Sequence, residues 1–278
     1  MAVVHSHHGG AAVESEPPDG AHDQPSRRLL ATFGIPVVGG LSAIGLWWSI
    51  IAVFHIRPYF VPSPLDIAAA FRNSAGYLLR ETQVTLVEIL VGFAVGAGAG
   101  LVISIVLAAS RTIERATLPL LVALNSVPKV AIAPLLTVWL GFGFEPKVLM
   151  VILICFFPVV VSTMSGLTST PSEFSELASS LSANWWQTYV KVRLRWALPQ
   201  IFVGVKVATS LAVIGAVVAE VASPQRGLGA VIVLSGSSAD TPLAFAAIAL
   251  LAVLSVVLFY LIVGLERWLL PWARAISG

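Results

Sequence analysis

Charge is what this sequence has least of. Of its 278 residues, 11% are charged and 57% are hydrophobic, whereas soluble domains carry roughly 25% charged residues. Mean hydropathy is +0.91. That deficit excludes a water-soluble enzyme of this size and leaves a polytopic membrane protein. Cysteine is nearly absent too. The single thiol, Cys155, sits in an apolar run, so there is no intrachain disulfide framework. It reads as a small core residue. No G-x-x-x-x-G-K-[ST] stretch occurs, so the chain cannot supply the phosphate-binding loop of an ATPase. HExxH, paired cysteines and a nucleophile triad are missing as well. The sequence therefore offers no catalytic residue and no metal site. Any energy for work must come from another subunit or an ion gradient. A net charge of +2 gives no sign of nucleic-acid binding.

What the chain does have is apolar length. Residues 1–28 are polar, rich in Pro, Gly and His, and read as a disordered cytoplasmic tail. His5, His7 and His8 within it form a short flexible cluster rather than a metal site. Arg27 and Arg28 precede an apolar stretch too long for a signal peptide, and read as a positive-inside anchor. Residues 29–270 form the transmembrane domain, and 271–278 a cytoplasmic tail. Six apolar spans are expected, at about 30–55, 83–109, 116–141, 146–168, 199–222 and 243–266. Ser63 and Pro64 mark the start of a short surface helix after the first span. Gly92, Gly96 and Gly100 recur every fourth residue, which lets a neighbouring helix approach closely. The third span is interrupted at Ser126-Val127-Pro128-Lys129. Residues 223–242 read as an external Gly/Ser/Pro-rich loop. With both termini inside, Arg27, Arg28, Arg111, Arg115, Lys191, Arg193, Arg195, Lys206, Arg267 and Arg274 are cytoplasmic, and Arg57, Arg72, Arg80, Lys147 and Arg226 external. That bias sets the orientation. Trp185, Trp186 and Trp196 fit an interfacial belt on the inner face.

One polar interval, Thr170 to Lys206, stands between the fourth and fifth spans. Thr170 as N-cap, Pro171 at the first helical position and Glu173 at N3 make a capping box. Phe174, Leu177, Ala178 and Leu181 then fall on one helical stripe. Such a helix either packs on its own protein or docks on a partner.

Within this interval the chain resembles a known family. Glu176-Leu177-Ala178-Ser179-Ser180-Leu181-Ser182-Ala183, with Val192, Leu194, Ala197-Leu198-Pro199 and Gly204 after it, is similar to the EAA loop of bacterial ABC importer permeases. Val61-Pro62-Ser63-Pro64, Asn125-Ser126-Val127-Pro128-Lys129, Trp139-Leu140-Gly141-Phe142-Gly143, Phe156-Phe157-Pro158, Ala219-Glu220 and Gly227-Leu228-Gly229 resemble the nitrate, sulfonate and taurine branch, which includes pyrimidine-precursor permeases. The resemblance implies an all-α type I importer permease fold in the cell inner membrane. It implies a homodimer, surrounded by membrane lipid, served by cytoplasmic ATP-binding subunits and an extracytoplasmic substrate-binding protein. ATP is then bound by the partner, and this chain needs no cofactor. The loop over about 170–198 becomes the coupling helix, with Phe174, Glu176, Leu177, Ala178, Leu181 and Ser182 meeting the ATPase. Three positions depart from the pattern. Leu177 replaces the first alanine, Arg195 a proline, and Ser182 the glycine that permits a left-handed turn. Serine there must adopt that conformation at some cost or turn differently.

Ionisable groups inside spans are the remaining candidates, because burying them is costly. Lys129 lies beside the Pro128 break and either lines the path of an anionic or polar solute or pairs with Glu88. Asn125 and Ser126 either contact the solute or satisfy carbonyls freed by the proline. Lys206 is placed to snorkel to the inner face. Glu220 is placed to form part of an outer gate. The rival reading is an ion-coupled secondary transporter, which needs coupling carboxylates near the midplane. Glu88 and Glu220 lie too near the outer ends of their spans for that.

Overall fold

In lipid a backbone must satisfy its own polar groups, and apolar segments of this length can do so only as helices. The computed structural model describes residues 35–272, and all regular structure among them is helical. In chain order the helices are α1 (Ile35–Phe54), α2 (Pro64–Asn73), α3 (Ala75–Leu107), α4 (Arg111–Asn125), α5 (Lys129–Leu140) and α6 (Phe144–Thr168). They continue as α7 (Ser172–Ser180), α8 (Trp185–Ala222), α9 (Leu228–Ser237) and α10 (Thr241–Leu269). A π-helical turn at Thr188–Arg193 lies inside α8. The tail assigned to 1–28, with its histidines and arginine pair, lies outside the described residues, as do 273–278.

The chain divides after Val53. Before the division lies all but the last residue of α1, a mostly apolar helix of 20 residues with no charge in either terminal turn. The rest form one unit. Four helices, α3, α6, α8 and α10, are long and apolar enough to cross a bilayer, and the α4–α5 pair makes a fifth if it counts as one span. α1, at 20 residues, has about the length a crossing needs.

The second unit is built around α6, which packs most extensively against α3 and α8. Small residues make that possible. A Cβ on Gly96 would stand 3.0 Å from the Ile152 backbone, and one on Gly92 2.5 Å from the Val151 side chain. Gly204 of α8 lies as close to Ser162. Between these helices Val151, Cys155 and Val159 of α6 meet Ile89 of α3 and Ala208, Ala212 and Ala216 of α8. Cys155 is fully buried there, its thiol 3.3 Å from the Ala208 carbonyl.

One local expectation holds and two change. The Ser63 cap forms in full, with its hydroxyl accepting from the Asp66 amide at 3.2 Å and the Asp66 carboxylate accepting from the Ser63 amide at 2.9 Å. The box at Thr170 does not form. Pro171 takes the N-cap position with no side-chain cap, and the Thr170 hydroxyl turns back to the Leu167 carbonyl at 3.4 Å. α7 starts one residue later than expected, at Ser172, with the proline outside the helix rather than at its first position. The stretch 223–242 is not simply a loop either. It contains α9, whose Leu228, Gly229, Ala230 and Val231 are buried.

Candidate functional site: an exposed amphipathic helix, a broken span and a buried clamp

The polar interval folds as helix, turn and helix. In α7, Ala178 points inward and is buried. Phe174, Leu177 and Leu181 are 41%, 59% and 74% exposed, and Glu176 is exposed beside them. The stripe therefore divides, with one alanine used for packing and three large apolar groups left facing out. The Phe174 ring lies 5.2 Å from that of Trp196 on α8. The helix ends in a Schellman turn: the Ala183 amide donates to the Ala178 carbonyl and the Ser182 amide to the Ser179 carbonyl, both at 3.0 Å. Ser182 holds a φ of 57°, so the serine adopts the left-handed conformation that glycine would take. Asn184 and Gln187 then form a capping box that opens α8. Trp185 stacks on Tyr189 at 5.1 Å, and the Tyr189 hydroxyl donates to the Ile105 carbonyl of α3 at 2.6 Å. The turn is thus tied to a membrane helix.

The second candidate is the break at Ser126–Pro128, where α4 and α5 bend by 81°. Pro128 lacks an N–H and the chain leaves helical geometry there with ψ 96°. Asn125 and Ser126 are exposed and Lys129 half-buried. The Lys129 ammonium donates to the Asn125 side-chain oxygen at 2.5 Å and to its carbonyl at 3.3 Å. The Ser126 hydroxyl donates to the Val122 carbonyl at 3.1 Å. The pairing of Lys129 with Glu88 does not occur. Glu88 instead pairs with Lys147 of α6 at 3.1 Å, both almost completely buried.

That pair belongs to a network around the N-terminus of α9. Helix N-termini leave amides without partners, and here carboxylates and a hydroxyl from other helices supply them. The Gly227 amide donates to Glu81 at 2.7 Å, the Leu228 amide to the Thr85 hydroxyl at 2.8 Å, and the Gly229 amide to Glu220 at 2.6 Å. Thr85 in turn donates to Glu220 at 2.6 Å. Arg226 pairs with Glu81 at 3.0 Å, and Lys147 donates to the Arg226 carbonyl at 2.7 Å. Negative groups at a helix N-terminus are also favoured by its dipole. Glu220, expected at an outer gate, is fully buried inside the subunit, because its carboxylate is used to hold α9. Lys206 does not snorkel; it pairs with Glu266 of α10 at 3.0 Å. Sequence reading missed Glu81, Thr85, Lys147 and Arg226. The signal was there, in polar groups spaced by three and four along the start of α3, but the partners lie 135 and 146 residues away.

Among the described residues no group of His, Cys, Asp and Glu is arranged to hold a metal ion. Comparison with known proteins gives a consistent family. A family profile described as the binding-protein-dependent transport system inner membrane component matches residues 100–274. A riboflavin transport system permease protein of Chloroflexus aurantiacus is 37% identical over 89% of this chain and 95% of its own. A formylaminopyrimidine transport permease protein of Halalkalibacterium halodurans is 34% identical over 82% and 91%. A taurine transport system permease protein of Escherichia coli is 28% identical over 89% and 91%.

Proposed function

The chain belongs to the family of binding-protein-dependent transport system inner membrane components, and from that premise we propose how its surfaces divide the work of an ATP-driven importer. It is an integral membrane protein and an ABC importer permease subunit, not itself an enzyme. The proposal is that α7 and the Ser182 turn dock in a groove of a separate cytoplasmic ATPase. The observation that carries it is the outward face of Phe174, Leu177 and Leu181, three apolar side chains exposed on a short helix outside the spans. Leaving them in water costs free energy that a groove would recover, about 1.5–3 kcal/mol for each side chain fully covered. Glu176 supplies the polar contact, and Ala178 and Ser182 set the angle of the helix. Both termini then lie in the cytoplasm, and ATP is bound by the partner alone.

Solute passage is assigned to the α4–α5 break. Two copies of the chain would face each other across its exposed apolar residues, including Leu124, Val127, Val130 and Val138. Asn125, Ser126 and Lys129 would line the route between them. Glu220 would act there only indirectly, through the α9 clamp. A binding protein on the outer side delivers the solute. An amide, a hydroxyl and an ammonium suit a small sulfonate-like anion or a nitrogen heterocycle of the pyrimidine-precursor kind, in keeping with the solutes named for the relatives.

Uptake into vesicles tests the energy source, and co-purification tests the docking. Vanadate-sensitive uptake and an ATPase that co-purifies are expected, and Glu176→Ala should weaken the association about tenfold, equivalent to about 1.4 kcal/mol. Uptake that ignores vanadate but collapses with the proton gradient would sink the proposal.

A further inference from the structure

A cavity of about 550 Å³ opens beside the start of α8. Phe174, Trp196, Trp272 and Pro199 line it, and Lys191 and Arg195 both reach it. Among the described residues neither cation has a carboxylate within ion-pair distance; the acids paired with Lys or Arg are Glu88, Glu266 and Glu81, with other partners. Among the described residues, then, an exposed lysine and arginine without a carboxylate partner stand beside three aromatic rings, a set of groups that suits a phosphate anion.

The face of α8 that lines the cavity continues into the membrane. Trp196, Pro199 and Gln200 are followed at helical spacing by Val203 and Val207, which are 43% and 48% exposed. From Arg195 to Val207 is about 18 Å at 1.5 Å per residue, close to one leaflet of a hydrocarbon core about 30 Å thick. Tryptophans at the mouth mark the interface level. A free anion would use only the cation pair. A phospholipid would use the cations for its headgroup, the rings for its glycerol region and the valine track for an acyl chain. Basic pockets beside membrane helices on the inner face recognise anionic headgroups in this way.

We propose that this cavity is a binding site for an anionic glycerophospholipid of the inner leaflet, with Lys191 and Arg195 on its phosphate. The inference rests on the inner-membrane permease reading for its bilayer, but not on where the ATPase docks. Native mass spectrometry of the full permease, purified with its ATPase and titrated with phosphatidylglycerol, phosphatidylcholine or inorganic phosphate, tests it. The wild type should retain phosphatidylglycerol over phosphatidylcholine. Lys191→Gln with Arg195→Gln should weaken that retention at least tenfold. Arg72→Gln with Arg80→Gln, which removes as much charge from exposed positions outside the cavity, should leave it unchanged. Phosphatidylglycerol retained equally by the Lys191/Arg195 variant overturns the inference. So does its displacement by millimolar inorganic phosphate, which would make the site one for free anions. Loss of the permease dimer with lipid retained would assign the face to a second copy. Loss of the ATPase with lipid retained would likewise overturn this inference while leaving the docking proposal intact, because the two readouts are separate species in one spectrum.

Discussion

Ser182 sits at φ 57°, a region that costs a residue with a Cβ roughly 1–2 kcal/mol. The Schellman hydrogen bonds around it hold the chain there regardless. Ser182→Gly should therefore raise the thermal midpoint of the solubilised protein, by the equivalent of about 1 kcal/mol. Ser182→Val should lower it, because β-branched side chains tolerate this region worst. A rise with valine would show that the turn is not left-handed. Lys147 makes the opposite case, a group whose value depends on its partner. Removing it as Lys147→Met leaves Glu88 buried and unpaired, which should cost about 3–5 kcal/mol. Folded yield in detergent reads that loss. Replacing both, as Glu88→Leu with Lys147→Met, should recover a large part of it, since the uncompensated charge is gone. Position alone could not reveal these roles: Lys147 and Glu88 are 59 residues apart, and each looks peripheral on its own span.

Helices pack here by removing side chains rather than by adding them. The glycine face of α3 was legible because a four-residue spacing needs no partner to be seen. Gly98 lies in the same helix, and a Cβ there meets nothing within 4 Å. Gly96→Leu should accordingly push α3 off α6 and abolish folded yield, whereas Gly98→Leu should be tolerated. Equal loss in both would mean that helix propensity, not the approach to Ile152, decides. At α9 the local reading failed for a physical reason. Ten residues of Leu, Val, Gly, Ala, Ile and Ser between two turns look like loop, because isolated helices that short are marginal. Amides capped by Glu81, Thr85 and Glu220 from other helices supply the missing stability. The Thr170 box failed in the opposite direction: a good local pattern was not used, and the helix started one residue later.

At the scale of the whole molecule, the α7 face and the α4–α5 break are among the apolar regions that stay outside the core. In the proposed function the first goes to a separate ATPase and the second to a solute route between two copies. Leu177→Asp with Leu181→Asp should abolish ATPase co-purification while the folded yield stays near wild type, because both side chains are already in water. A parallel loss of folded protein would place these leucines in the core instead. Lys129→Ala should reduce uptake severalfold at normal expression and normal ATPase binding; unchanged uptake would remove it from the route. Composition alone determined that this is a helical membrane protein, since its charge deficit and apolar runs admit no other solvent. The apolar stripe at Phe174, Leu177, Ala178 and Leu181 determined that a short amphipathic helix stands in the polar interval between the spans. Tertiary structure alone decided which charges meet. Glu88 chose Lys147 over Lys129, and Glu220 met the Gly229 amide of α9 and Thr85, because pairing in a low-dielectric interior depends on ångström-scale proximity that sequence separation does not encode.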